Sequence, residues 1–386
     1  MADYIPFVNS QKDTAFAKDY YSDAAVVRVS LELLKAKSVP RSTTKLWVDA
    51  GIDGFVQSDP NPQWKAFADG FVGAAAFKRS LESPTKQTID SLVHSALGAC
   101  LANSPDWISV PQLPYSRDTS RNKTNRMLAG AAEGWRHKRG FRGIFILPII
   151  LSHQEQTTNR THWKPRVELA KTCFERSGSD AYWVTDHDLF DQAGTGTFES
   201  KRFPGLIGFC EDLRKTIAEA RPSVAGPFWG LNVLLWARGI VQYPAIGLGN
   251  AYRYNVAGGR QQQAAVRVAL EPLRRWATLS PQLRSWLEQV TTKIPVTESS
   301  HHAFAELLTD FDRLHIDDRG RRQIAKFYKR WFDSLAAVPQ HGRPLALYQD
   351  LSAAYVLGKS LPDLPKTEGS ARRPEKIARQ LMVNCL

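Results

Sequence analysis

The amino-acid sequence predicts an α/β protein, with a (β/α)8 TIM-type barrel over residues 1–260 and a helical C-terminal region with a basic tail over 261–386. Three observations lead there. Short apolar runs recur through the first 260 residues without the polar alternation of a half-exposed strand, as strands covered on both faces do. Amphipathic helices separate them, the alternation that builds a parallel sheet under helical cover. No Gly-rich dinucleotide fingerprint follows the first clear strand, which favours a closed barrel over an open doubly wound sheet.

The clear strands are 46–50 (LWVDA), 107–111 (WISVP), 143–151 (GIFILPIIL) and 181–185 (AYWVT), with weaker candidates at 224–226 and 245–248. The helices between them carry apolar stripes at i, i+3, i+4 and i+7. Ile89, Leu92, Val93, Ala96, Leu97, Cys100 and Leu101 form one, with Ser83 as cap and Pro84 in the first turn. Leu128, Ala131, Ala132 and Trp135 run to a stop at Gly140. Val167, Ala170 and Phe174 end before Gly178, and Leu206, Cys210, Leu213 and Ile217 before Pro222. Beyond Arg260 the spacing predicts helices over 261–279, 281–292, 302–314 and 319–338, the last burying Ile324, Phe327, Tyr328, Trp331 and Leu335. Pro362, Pro365 and the basic stretch from Arg372 to Arg379 read as a loosely held tail.

Composition bounds the function. With 43% hydrophobic and 10% aromatic residues in 386, the chain can bury a large core, which excludes wholesale disorder. No apolar run reaches the ~18 residues that span a bilayer. The start, Met1-Ala2-Asp3-Tyr4, lacks the basic head and greasy stretch of a secretory signal, so a soluble cytoplasmic protein is expected. Cys100, Cys173, Cys210 and Cys385 lie far apart with no C-x2-C spacing, so they read as buried small hydrophobes; neither a metal nor a cofactor is expected. The 51 Lys+Arg against 38 Asp+Glu leave a net charge of +13, which favours nucleic acid as a partner, then an acidic protein.

In a barrel, catalytic groups gather at the carboxyl ends of the strands. Asp49 and Asp53 stand at the first such end, where a carboxylate followed by glycines suits acid/base work; an Asp turn is the structural alternative. Gln112, at the second, could read an amide-like edge of a planar base, with a solvated loop as the alternative. Asp186, His187, Asp188 and Asp191 form the densest titratable cluster, candidates for nucleophile, base or ligand, or simply a polar loop. Trp229, Asn232, Gln242 and Tyr252 lie in glycine-rich aromatic stretches that would make a stacking wall for a flat ring, with barrel corners at Gly247 and Gly249 as the alternative. Arg121, Lys123, Arg126, Arg136 and Arg139, with Lys326 and Lys329 farther on, are candidate phosphate contacts or a solvated face.

Val48-Asp49-Ala50-Gly51 resembles the strand-ending Asp-Ser-Gly-Gly of the tRNA-guanine transglycosylase superfamily, which includes 7-deazaguanine DNA-modifying and antiphage-defence relatives. The stretches 108–115 and 239–244 resemble its base-reading and nucleophile strands, so the likeness covers about residues 46–259. It implies a barrel that exchanges guanine for a deazaguanine through a covalent Asp–sugar intermediate, with Asp49 as acid/base. Gln112 stands where that family usually carries Asp, Pro244 falls about where the nucleophilic Asp belongs, and the zinc cysteine cluster is missing. Two functions are therefore expected as alternatives. One is a base-exchange enzyme in which Asp186, Asp188 or Asp191 assists Asp49. The other is a catalytically degenerate barrel that binds nucleic acid or serves as a protein-binding subunit of a defence or modification complex.

Overall fold

The computed structural model describes residues 3–386 apart from 9, 37–43, 53, 55–80, 82, 117–118, 152–156, 158, 187–201, 218–221, 249–265 and 317. Eight parallel strands close into a barrel in sequence order: β1 (Ile5–Val8), β2 (Val26–Ser30), β3 (Lys45–Asp49), β4 (Trp107–Ser109), β5 (Ile144–Leu151), β6 (Ala181–Asp186), β7 (Ser223–Ala225) and β8 (Tyr243–Gly247). Closure is made where Ile5 of β1 registers with Ala245 of β8. Among the described residues, α1 (Gln11–Tyr20), α2 (Leu31–Ala36), α3 (Lys86–Leu101), α4 (Thr119–Arg139), α5 (Arg160–Ser177), α6 (Arg202–Thr216) and α7 (Leu231–Ala237) alternate with the strands. The (β/α)8 fold is the one the sequence implies.

Strand pleating sorts the side chains. Ile5, Phe7, Val26, Trp47, Trp107, Ile146, Ala181, Trp183, Val224 and Ala245 fill the barrel, while Val48, Ile108, Phe145, Tyr182 and Val184 face the helices. Both faces are buried, hence the unbroken apolar runs. The cap of α3 differs from expectation: Thr85, not Ser83, accepts from the Thr88 N–H, and Thr88 answers with a reciprocal capping box. Gly140 and Gly178 follow α4 and α5 with φ of +62° and +57°, where a side chain is strained.

Past the barrel strands, the helix expected over 261–279 is instead an antiparallel hairpin, β9 (Arg267–Leu270) and β10 (Arg275–Thr278), around a short 3-10 turn containing Pro272. Proline has no N–H for a helix interior, and the hairpin buries both faces. Ala269 and Trp276 join the barrel's core, whereas Val268, Leu270 and Ala277 join a smaller one built with α8 (Pro281–Lys293) and α9 (Ser299–Thr309). Three further helices follow: α10 (Arg319–Ala336), α11 (Arg343–Ser360) and α12 (Lys376–Met382).

A boundary at residue 260 does not separate two cores. Ile324, Phe327, Tyr328, Trp331 and Phe332 of α10 pack into the barrel's core, with the Tyr21 hydroxyl donating to the Ala325 carbonyl at 2.7 Å and Trp236 of α7 against Phe332. This helix thus occupies the eighth place in the ring, between α7 and α1. Nor is the tail loosely held. Glu368 accepts from the Thr278 N–H at 2.8 Å, and Ile377, Ala378, Leu381 and Cys385 are buried in the same core.

Candidate functional site at the barrel mouth

Trp47, Phe7 and Trp183 meet edge to face inside the barrel, with ring centroids 5.2–5.4 Å apart. The Arg28 guanidinium lies over Phe7 and Trp183 and pairs with the Asp49 carboxylate of the neighbouring strand. Both residues are almost fully buried, at 2% and 3% exposure, so each charge is held by its partner and by the ring faces rather than by water. Asp49 also accepts from the Gly51 N–H at 3.3 Å, a turn that Gly51 allows with φ +62°. Arg28 was not among the candidates read from the sequence. The one signal was an arginine inside an apolar run, VVRVS, whose charge needs a buried acid.

The second anchor is Gln112. Its amide donates to the Pro111 carbonyl at 2.8 Å and the Asn125 carbonyl at 3.2 Å. Asn125 of α4 in turn accepts from the Leu113 N–H and donates to the Leu113 carbonyl, fixing the loop after β4. With both donors committed, Gln112 Oε1 is left buried without a hydrogen-bond partner. Thr185 Oγ1 is likewise unpartnered. Ser109 accepts from the Trp47 indole at 2.9 Å and retains its own proton to donate. Asp49, Gly51, Ser109, Gln112, Ile150 and Trp183 line one pocket, whose enclosed space of about 10 Å³ is that of a single water position. A larger ligand would reach this floor with one edge only.

Asp49 and Gln112 therefore line one pocket, which other candidates do not. Asp186 pairs in register with Leu151, on the face turned to the helices, while Ile150 and Thr185 face inward. It is fully buried near Cys210 of α6, whose thiol is pushed up by burial, then by Glu211 and Asp186. Its strand-end position put it at the rim, and its parity turned it away. Asp53, His187, Asp188, Asp191 and Tyr252 lie outside the described residues. Trp229 is wedged under the C-terminal helices, stacked on Phe327 at 6.0 Å and donating to the Arg274 carbonyl. Asn232 is held by the Ala245 carbonyl and the Tyr328 hydroxyl at 2.6 and 2.8 Å. Both are structural posts rather than a stacking wall. Gln242 precedes β8 and so lies at the opposite, amino-terminal end of the barrel, its N–H donating to the Ser223 carbonyl. Pro244, between the inward Tyr243 and Ala245, faces outward; a residue there does not point at the mouth.

The basic candidates divide similarly. Arg121, Lys123 and Arg126 start α4 near the mouth, whereas Arg139 ends it about 27 Å away, at 1.5 Å per residue, and is exposed. Arg136 is a structural latch: it donates to the Gly178 and Gly143 carbonyls and pairs with Asp180 at 2.9 Å. Lys329 is held by Asp23 and Asp333, and only Lys326 of that pair is exposed. Among the described residues no group of His, Cys, Asp or Glu is placed to hold a metal, and no helix is long and apolar enough to cross a membrane.

No protein-family model and no curated protein matches the sequence. Among solved structures, the chain is similar to the YdhT protein from Bacillus subtilis at 12% identity and TM-score 0.33, over 67% of this chain and 85% of that one. A probable tagatose 6-phosphate kinase from Sinorhizobium meliloti 1021 aligns at 12% identity and TM-score 0.35, over 99% of this chain and 100% of that one. Likeness this slight carries no argument about the site, and the barrel stands on its own strand order.

Proposed function

We propose that the chain is a transglycosylase-like barrel whose mouth binds one edge of a nucleobase or deazaguanine-type ring, in nucleic-acid modification or antiphage defence. The observation that carries this reading is Gln112, which lines the same pocket as Asp49 and whose buried Oε1 has no hydrogen-bond partner. A ring N–H would donate to Gln112, and Asp49 would take up or return a proton at the adjacent ring position, its charge sustained by Arg28. The base-exchange step needs a nucleophile as well, for which Asp188 and Asp191 are the remaining candidates.

A second reading is favoured by the closed Arg28–Asp49 pair and the outward-facing position 244: a degenerate barrel that binds such a ring, or a nucleic acid or protein bearing it, without exchanging it. Titration calorimetry with guanine and 7-deazaguanine tests both. Binding is expected, and Gln112→Leu is expected to weaken it roughly 5- to 30-fold, the worth of about 1–2 kcal/mol for one buried hydrogen bond. Incorporation of labelled guanine into tRNA or duplex DNA, lost in Asp49→Asn, would select the enzyme; binding without incorporation would select the degenerate barrel. If neither base binds, the base-exchange reading falls, and salt-sensitive binding of tRNA or duplex DNA is what the second then has to show.

A further inference from the structure

The end of the barrel opposite the mouth gathers cations that have no part in holding the fold. There α4 turns into β5 through residues 140–143, and α5 into β6 through 178–180. Arg136 joins the two turns, donating to the Gly143 and Gly178 carbonyls at 3.2 and 2.6 Å, and a side chain at Gly178 would meet the Glu133 carboxylate of α4. Arg139, Arg142 and Arg176 each lie within three residues of Arg136 or of a residue whose carbonyl it holds. That is at most about 11 Å even along an extended chain, so the three arginines cluster around one latch, with Lys138 beside them.

All of these cations are exposed, and among the described residues none has a hydrogen-bond or ion-pair partner. The acids at this end are already engaged. Asp180 pairs with Arg136 at 2.9 Å, Glu133 with His137 at 2.8 Å and Glu175 with Lys171 at 4.0 Å, while the Asp106 carboxylate accepts from the Leu46 N–H. A last-turn cation complements its own helix dipole, which accounts for Arg139 and Arg176 but not for Arg142, out in the turn. An apolar anchor is missing: Phe141 turns in onto Trp135 and Phe145, and the largely exposed apolar side chains among the described residues all lie beyond residue 290. Protein partners are held by such anchors, whereas a polyanion binds through phosphates and the counterions it releases.

We propose that the amino-terminal end of the barrel binds the backbone phosphates of a nucleic-acid duplex through Arg139, Arg142 and Arg176. Each guanidinium offers a planar fork of N–H donors that matches two phosphate oxygens at once, and the contact reads no sequence. This holds whatever the mouth binds, because the length of α4 separates the two ends.

Fluorescence anisotropy of the full-length chain with a labelled DNA duplex, and with an RNA duplex of the same sequence, tests it. At least one is expected to bind, with affinity falling roughly 40-fold between 50 and 200 mM salt, the effect of a log–log slope near −2.7 for three neutralised phosphates. Arg139→Gln/Arg142→Gln should flatten that slope by about 2, and Arg176→Gln by about 1. Thermal melts should match the parent, since these side chains hold no other residue; if the double variant shifts the melt, Arg176→Gln remains as an independent probe. No binding of either duplex at 50 mM salt overturns the proposal. So does a slope that both variants leave unchanged, and its loss in Arg121→Gln/Lys123→Gln would then assign the contact to the mouth. A polyglutamate peptide that binds more tightly than either duplex would overturn it in favour of an acidic protein.

Discussion

Burial makes the Arg28–Asp49 pair asymmetric towards mutation. Removing one partner leaves the other uncompensated in the barrel, which costs about 3–5 kcal/mol, whereas replacing both by apolar residues of similar volume is often close to neutral. Asp49→Ala is expected to lower the urea unfolding free energy by that amount, and Arg28→Met/Asp49→Leu to recover most of it. A double variant no more stable than the single one would mean that the charges themselves hold the mouth together. Glu32, half-buried in the first turn of α2, has the opposite character: burial raises its carboxyl above the ordinary 4.5, against the pull of Arg28. A carboxyl raised on folding weakens the fold once ionised, so its penalty is present at neutral pH and relieved as pH falls through the folded pKa. Glu32→Gln should therefore raise the melting temperature at about pH 7 and leave it nearly unchanged at about pH 3. Asp23 carries the reverse sign. Burial works to raise it, but the Tyr4 hydroxyl and Lys329 outweigh that and hold it below 3.8, so its contribution is lost on acidification through the lowered value.

At the scale of elements, one latch binds three. Arg136 near the end of α4 ties the Gly178 cap of α5 and the start of β5, through the Gly143 carbonyl, to Asp180 ahead of β6. Arg136→Ala should cost roughly 2–3 kcal/mol in chemical denaturation, since several hydrogen bonds from a charged donor go together. Gly178→Ala should cost more than ~1 kcal/mol, because φ is positive and the new methyl group meets the Glu133 carboxylate. The elements also show what could be read in advance. Strands β3 to β6 announced themselves as apolar runs buried on both faces. The strands at Ile5–Val8 and Val26–Ser30 did not, the first being four residues with a proline and the second interrupted by Arg28. The same two-sided burial that exposed the central strands disguised the β9–β10 hairpin, whose apolar run reads equally well as a buried helix. In the site, Asp49 and Gln112 were legible from their strand ends. Asp186 was not, because its facing depends on parity counted from Trp183. Trp229 and Asn232 looked like a ring-binding wall because their neighbours, Phe327 and Tyr328, arrive about a hundred residues later in the chain.

The molecule as a whole is completed from its far end. A chain cut after residue 260 lacks α10, so the core residues Phe16 and Tyr21 of its opening segment lose their cover. That fragment is expected to aggregate or to show molten character, with near-UV circular dichroism lost; a sharp cooperative melt would contradict the shared core. Removal of 375–386 alone uncovers less, but Ile377 and Leu381 together are worth about 3–6 kcal/mol at ~1.5–3 kcal/mol per side chain.

The union of Tyr21 with Ala325, 304 positions downstream, also has a temporal meaning. At ~5–20 residues per second a ribosome needs roughly 15–60 s to reach the later partner. Through most of that interval the opening strand waits for β8 with an unpaired edge, and to its end the aromatic side chains of the opening segment wait for a helix not yet made. Newly synthesised chains would therefore depend on a chaperone that shields the leading segment, far more than refolding from denaturant, where both partners are present from the start, would suggest.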